Sequence, residues 1–393
     1  MKPETQYEVA IVGGGMVGAA VARALAGSRV GLVSRERRPE IALQGFDARV
    51  YAISPGNAEF LDKLGAWSAI PVRHLTPVHA MRVYGDDGAS LIEFDAYRTG
   101  CAELAWIVED RQLQGALWRG LEGQAGLELF AGSSVQDLEI AEQQATLSLK
   151  DGRKLGAKLV VGSDGARSFV RNRAGIPSTE HAYGQTAVVA NFACARPHRN
   201  VAYQWFQGGS KSGAVLALLP LPGEHVSMVW STPAADAARL LGLDGAALAG
   251  EVAAAARHVL GELSLVTPAR GFALQRLNAA RCAAPRVALA GDAAHVIHPL
   301  AGQGANLGLQ DARVLAEVIA GREPGRDPGD LRLLRRYARA RAEAIMAMGA
   351  TVHGLYRLFD ARGGGLARLR NAGLNLADRL PVIKNLLMRH AMG

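Results

Sequence analysis

The chain is short of several things, and each shortage excludes a class. Its 393 residues hold three cysteines, Cys101, Cys194 and Cys282, scattered without metal or redox spacing. Three unclustered thiols argue against a disulfide framework and for a reducing, cytoplasmic setting. No run approaches the ~18 apolar residues that a membrane span requires. The start, Met1-Lys2-Pro3-Glu4, is polar and shows no signal-peptide pattern. There is no internal repeat, no low-complexity tract, no convincing catalytic triad or carboxylate pair, and no metal cluster, so no metal is expected. No stretch interleaves basic with aromatic residues, so the formal charge of +8 and the pI near 9.6 do not read as a nucleic-acid surface. Much of that charge sits late. Between Arg357 and Gly393 seven basic residues face two acidic ones, with Leu369, Leu376, Leu380 and Ile383 at helical spacing beside them. Such a segment either packs its apolar stripe on the body and solvates its charge, or lies on an anionic membrane surface.

The stretch from Arg286 to Asp311, RVALAGDAAHVIHPLAGQGANLGLQD, is the richest in chemistry. An apolar run, Val287 to Ala290, ends at Gly291-Asp292. A loop with Gly302, Gln303 and Gly304 follows, and a helix pattern opens near Ala305-Asn306. A buried strand thus delivers a carboxylate and bare backbone amides to one place. The carboxylate can accept hydrogen bonds from a sugar-alcohol chain, and amides at a helix N-terminus stabilise an anion. A flavin needs both, for its ribityl hydroxyls and for the negative charge of its reduced ring.

The opposite end of the chain makes the same case independently. Tyr7 to Val12 reads as a short buried strand running into Gly13-Gly14-Gly15-Met16-Val17-Gly18, with a helix pattern after it. This is G-x-G-x-x-G in its required context: one glycine for the turn, one for approach of a diphosphate, one for helix–strand packing. An acidic residue should close the second strand and bind a ribose. Counting from Gly18 favours Glu36, whereas counting from the strand Val30–Val33 favours Ser34; Glu36 is taken here, with Ser34 open. A third segment, Gly162-Ser163-Asp164-Gly165, follows the strand-like run Lys158–Val161; alone it would be only a turn.

Together the three segments resemble the single-component FAD-dependent aromatic hydroxylases. Within that group the chain is most similar to the ubiquinone-biosynthesis hydroxylases, whose G-D segment continues H-P-x-A-G-Q-G-x-N-L-G-x-x-D. Here it reads His298-Pro299-Leu300-Ala301-Gly302-Gln303-Gly304-Ala305-Asn306-Leu307-Gly308, then Asp311, and the tail from Leu358 to Gly393 is similar too. The segment Gln207 to Gly213 departs from the family in looking longer than usual.

The resemblance implies an α/β fold: a Rossmann-like FAD-binding domain, an inserted antiparallel-sheet substrate domain and a C-terminal helical segment, the p-hydroxybenzoate hydroxylase-like architecture. The expected boundaries are 1–75, 100–180 and 270–345 for the FAD-binding domain, 76–99 and 181–269 for the substrate domain, and 346–393 for the helical segment. It implies a monooxygenase that uses NAD(P)H as a transient co-substrate. Dioxygen would pass through a flavin C4a-hydroperoxide to the ring of a polyprenylated phenol, with a small soluble aromatic compound as the alternative substrate. Gly13, Gly15, Met16, Val17 and Gly18 would meet the diphosphate and Asp292, after Gly291, the ribityl chain. Gly302, Gln303, Gly304, Ala305 and Asn306 would line the ring, Arg49 and Arg111 would lie near the cofactor, and Asp164 would orient the diphosphate or the nicotinamide. His298, Pro299 and Leu300 would face the reacting side of the flavin, while His295 reads as satisfying loop carbonyls. A flavin-dependent halogenase should carry W-x-W-x-I-P, which is missing, and a two-component oxidoreductase should carry a second dinucleotide fingerprint. A non-enzymatic flavoprotein is disfavoured by the intact G-D loop. The expected setting is the cytoplasm, with peripheral contact to the inner membrane face or a quinone-biosynthesis assembly through the basic tail; oligomeric state is not indicated.

Overall fold

The computed structural model describes residues 5–39, 45–87, 90–207, 213–298 and 303–360. Pro299, Leu300 and Gly302, the segment 208–212 and the basic tail from 361 onward lie outside the described residues. Seven strands and four helices build the functional end of the molecule. The strands are β1 (Thr5–Val12), β2 (Val30–Ser34), β3 (Lys154–Gly162), β4 (Ser178–Cys194), β5 (Arg270–Ala279), β6 (Val287–Leu289) and β7 (His295–Val296). The helices are α1 (Met16–Ala24), α2 (Asp110–Leu121), α3 (Gly304–Ala320) and α4 (Leu331–Asp360).

Val9, Ala10 and Ile11 are fully buried in succession, the signature of a parallel strand covered on both faces. β1 lies between β2 and β3, parallel to both, with Val12 opposite Val33 and Gly162. β6 extends the same parallel run beside β3, with Leu289 opposite Gly162. The carboxyl ends of all four strands therefore finish along one edge, the place where open α/β sheets bind ligands. Among the described residues this sheet has eight strands, its path ordered 283–284, β6, β3, β1, β2 and 127–131. α1 packs against α2 and α3 through Ala19, Ala20 and Ala22, whose small side chains bring the helices close.

A second sheet has nine strands among the described residues. Its path runs β7, β5, β4, 225–233, 214–221, 201–207, 80–84 and 91–95. It is antiparallel except where Val201–Gln207 runs parallel to Ala80–Tyr84. Val188, Ala190 and Phe192 alternate inward from β4 and meet Met228, Trp230 and the helix Gly245–Ala255 through Leu248 and Val252. Full burial of each large apolar side chain there contributes about 1.5–3 kcal/mol. A third sheet, of strands 50–53, 105–109 and 75–78, lies beside the other two.

One boundary differs from the sequence expectation. Residues from 270 onward were placed with the FAD-binding domain, but β5 pairs along β4 and β7 pairs with β5, so both belong to the nine-stranded sheet. The chain changes sheets between β6 and β7, with only Ala290–Ala294 between them. A 3-10 turn, Gly291–Ala293, fills most of that joint.

A buried carboxylate holds the joint. Asp311 of α3 is fully buried. It accepts from the Gly291 N–H at 2.9 Å, from His295 Nε2 at 2.7 Å and from Arg341 Nε of α4 at 2.7 Å. His295 thus satisfies a carboxylate rather than loop carbonyls, because α3 brings Asp311 under the joint from 16 residues away. Burial opposes charge on His295, but Asp311 outweighs it and raises the imidazole pKa. Burial likewise opposes charge on Asp311, and His295 and Arg341 outweigh it, lowering the carboxyl pKa. The raised histidine contributes stability in full below its ordinary value of 6.5, losing it as pH rises through the folded value. The lowered aspartate contributes in full above 3.8, losing it as pH falls through its folded value. Removing one partner of such a cluster costs about 3–5 kcal/mol. In urea unfolding, Asp311→Ala should lose that amount, and the difference from wild type should be largest between pH 3.8 and 6.5. A loss below 1 kcal/mol (roughly the worth of an exposed ion pair) would refute the clamp.

Candidate active site

β1 ends in a turn that only glycine tolerates. Gly13 has φ +111°, and a methyl group there would stand 2.3 Å from the Ser163 carbonyl oxygen. A methyl on Gly18 would stand 1.9 Å from the Gly13 carbonyl oxygen. Gly15 is different: a methyl group there would meet no atom within 4 Å. Gly15 caps α1 with no side-chain hydrogen bond, so the first-turn amides, those of Met16, Val17 and Gly18, lack a capping side chain. The result is an open concavity at the positive end of a helix, shaped for a diphosphate.

Two neighbours fix that turn. Trp118 of α2 donates its indole N–H to the Gly14 carbonyl at 2.8 Å, and Ser163 donates to the carbonyls of Val12 and Gly13 at 3.0 and 3.1 Å. Trp118 carried no functional signal in the sequence, since with Leu113, Leu117 and Leu121 it forms an ordinary core stripe. Ser34 is buried at the tip of β2, and a methyl on Gly14 would stand 2.5 Å from its Oγ. Glu36 is exposed two residues further on. The geometry therefore puts Ser34 beside the fingerprint turn and Glu36 outside it, because β2 pairs with its neighbours only as far as Ser34.

Asp292 follows β6 at the joint between the sheets. Its side chain is exposed, yet burial by the surrounding protein raises its pKa, with His295 and Arg49 opposing. A carboxylate open to water yet closely surrounded by protein suits the floor of a cleft. Arg49 overlooks it. Burial disfavours the Arg49 charge, but Tyr51, Asp110 and Asp292 outweigh this and raise its pKa. Its guanidinium lies 3.9 Å from Asp110 and 5.2 Å over the ring of Phe272 on β5, reaching from one sheet toward the other. Arg111 is turned aside to Asp47, at 3.2 Å.

The second bare helix end belongs to α3. Gln303 precedes it without a side-chain cap, and a methyl on Gly304, its first residue, would meet nothing within 4 Å. Gly304 and Ala305 are partly exposed. Val17 packs between the two motifs, its methyls against Gly291 and Gly308. Two expected cofactor residues have internal partners instead. Asn306 is buried, with its side chain bonded to the Ser54 amide at 2.9 Å, Asn57 at 2.9 Å and the Ala52 carbonyl at 2.8 Å. It pins α3 to a turn some 250 positions away, which the motif could not reveal. Asp164 accepts from Ser168 and from the amides of Phe169 and Val170, capping the short helix Phe169–Arg173. Arg171, also buried, then links the carbonyls of Ala166 and Ala293. His298 is 1% exposed, its Nε2 lies 3.0 Å from Gln185 Oε1, and burial pushes its pKa down to about 4.

The open cradle at Gly15, the uncapped ends of α1 and α3 and the acidic cleft floor fit a long cofactor with a diphosphate centre and a polyol arm. Residues 6–351 match the FAD-binding domain family. The chain belongs to that family. The match embraces both sheets and the joint, and the chain is an FAD-dependent monooxygenase with a p-hydroxybenzoate hydroxylase-like fold. It is 35% identical to a ubiquinone hydroxylase of Rhodospirillum rubrum, over 98% of this chain and 89% of that one. It is 34% identical to the 3-demethoxyubiquinol 3-hydroxylase of Escherichia coli, over 98% of each. The fold is shared with the crystal structure of p-nitrophenol 4-monooxygenase from Pseudomonas putida, at TM-score 0.79 and 19% identity, covering 100% of this chain and 99% of that one.

The two glycine environments make opposite demands. In the cofactor-free protein, Gly15→Ala should unfold within about 0.5 kcal/mol of wild type, yet titrate with FAD far more weakly because the methyl fills the cradle. Gly18→Ala should fail in stability first. Unaltered FAD affinity in Gly15→Ala would remove the diphosphate from this turn.

Proposed function

We propose that this enzyme hydroxylates the aromatic ring of a polyprenylated phenol on the route to ubiquinone. NAD(P)H supplies two electrons, one oxygen atom of O2 enters the ring, and the other leaves as water. Bound FAD supplies the dioxygen activation; the chain's own residues supply binding, orientation and exclusion of water. The first-turn amides of α1 (Met16, Val17, Gly18), with Gly13 and Gly15, hold the diphosphate. Asp292 accepts from the ribityl hydroxyls. The free amides at Gly304 and Ala305 stabilise negative charge on the ring, and the Arg49 guanidinium guards the cleft beside Asp292.

The observation that carries this reading is the position of Asp292. Its carboxylate lies on a cleft floor where the chain passes from the parallel sheet to the nine-stranded one, so a cofactor bound to the first faces a substrate carried by the second. The phenol class rests on the two relatives that pair with nearly the whole chain. Among the described residues no helix is long and apolar enough to cross a membrane. For a prenylated substrate met at a bilayer surface, the basic segment between Arg357 and Gly393 is the part of the sequence suited to the contact.

Asp292→Ala should bind FAD on the order of ten- to a hundredfold more weakly, the worth of about 1.5–3 kcal/mol for a charge-assisted hydrogen bond. Full occupancy of that variant would remove Asp292 from the ribityl role. In the host, deleting the gene should accumulate a prenylated phenol lacking one oxygen, read by mass spectrometry of lipid extracts and cured by wild type but not by Asp292→Ala. An unchanged quinone pool would overturn the assignment and bring forward a small soluble aromatic substrate.

A further inference from the structure

β4 is irregular where it approaches the joint. Ala182 opposes Gln275 of β5 and Thr186 opposes Ala273, so four steps on β4 match two on β5. Gly184, with φ +68°, sits inside the irregularity. Bulges of this kind re-aim side chains and recur beside active sites. Here the flanking residues Tyr183 and Gln185 both reach His298. The Tyr183 ring meets the imidazole edge-on at 4.8 Å between centroids, and Gln185 Oε1 lies 3.0 Å from its Nε2.

Hydrogen-bond accounting assigns the proton. Gln185 Nε2 donates to the Gly213 carbonyl at 3.0 Å, so its oxygen is the atom turned to His298. An amide oxygen only accepts, and His298 Nε2 must therefore carry the hydrogen. The ring is otherwise enclosed by aromatic surface from Tyr183, whose phenol feels Arg276 of β5, and Tyr183 in turn packs on His181.

We propose that Gln185 is a positioning residue, whose side-chain oxygen ties His298 to the nine-stranded sheet and so sets how that sheet is aligned on the Asp292 joint. The joint has one firm anchor at its flavin end, Asp311. Among the described residues the ladder of β7 on β5 is short: Val296 pairs with Leu277 and His295 with Asn278, with the Ala279 N–H donating to the Ala294 carbonyl at 2.8 Å just before them. So short a ladder defines the direction of the following residues less firmly than a long one would. The Gln185–His298 bond reaches past β5 to β4, the long central strand, and adds a second point that fixes that direction. With it in place, a ring carried by the substrate sheet stays over the reacting face of the flavin. Without it, NAD(P)H is still oxidised, but oxygen leaves as hydrogen peroxide instead of entering the ring.

The inference rests on the hydroxylase reading above, and the test separates the two. FAD-loaded full-length protein would be assayed with NAD(P)H, O2 and 3-geranylphenol in detergent, measuring product and peroxide per NAD(P)H consumed. Gln185→Met keeps length and volume but loses the acceptor; it should retain FAD and its visible spectrum while product per NAD(P)H falls on the order of tenfold, the equivalent of one hydrogen bond. Gln185→Glu keeps an acceptor facing His298 but, like Gln185→Met, loses the donor to the Gly213 carbonyl, so coupling clearly above that of the Met variant assigns the effect to the His298 bond. Gln185→Met placed in a His298→Phe background should add nothing further, since one residue acts through the other. Wild-type coupling in Gln185→Met, equal losses in Met and Glu variants, or additive losses in the double variant would each overturn the proposal. Should Gln185→Met not fold, Gln185→Leu takes its place alone and in the His298→Phe background, with the same outcomes expected and the same outcomes overturning the proposal. Wild type that binds no FAD, or oxidises NAD(P)H without ever forming product from this probe, would count against the hydroxylase reading instead.

Discussion

Three groups converge on the carboxylate of Asp311: the Gly291 amide and the His295 ring from the joint, and the Arg341 guanidinium from α4. A charge removed so fully from water is tolerable only when every lone pair is occupied. That requirement dictates much else. It holds the joint between the sheets against α3, which places the uncapped start of α3 beside Asp292. It also draws α4 across the back of α3, since Arg341 further binds Gln310 and the Leu307 carbonyl. The cofactor site is thus assembled by a group that points away from it.

The division of labour between the sheets follows from their hydrogen bonding. A parallel sheet buried on both faces gathers its strand ends at one rigid edge, suited to a cofactor that must not move. The nine-stranded sheet is covered on one face by the helix Gly245–Ala255 and irregular along β4, so its other face can be shaped for a particular substrate. Arg49 and Asn191 tie the nine-stranded sheet to the segment that enters the three-stranded one, the first over Phe272 and the second through the Asp47 carbonyl at 2.7 Å. A chain with this arrangement can alter what it hydroxylates without disturbing how it binds FAD.

The parts of this design legible in the sequence were those with short-range causes. Gly13 and Gly18 announce themselves because sterics admit nothing else, and the apolar runs of β1, β3 and β6 because a parallel strand is buried on both faces. What stayed hidden had long-range causes. The choice between Ser34 and Glu36 stayed open because only strand pairing shows where β2 stops. Asn306 looked like a cofactor ligand because its partners, Ser54 and Asn57, are some 250 residues away. The sheet to which β5 belongs was not legible, because pairing with β4, not position in the chain, decides it. Trp118 and Gln185 carried no local signal, for an aromatic in a helical stripe and an amide in a strand are ordinary residues until their partners are known.

The fingerprint turn is made from residues 13 to 18, yet Val17 within it packs on Gly291 and Gly308, near the other end of the chain. During synthesis the first strand therefore leaves the ribosome long before its site can exist. At roughly 5–20 residues per second the delay is on the order of a quarter of a minute to a minute. Through that interval β1 can pair with β2 and, once it is made, with β3, but the joint that carries Gly291 has yet to follow. The flavin site is therefore among the last parts of the fold to be completed, although its fingerprint is among the first residues made.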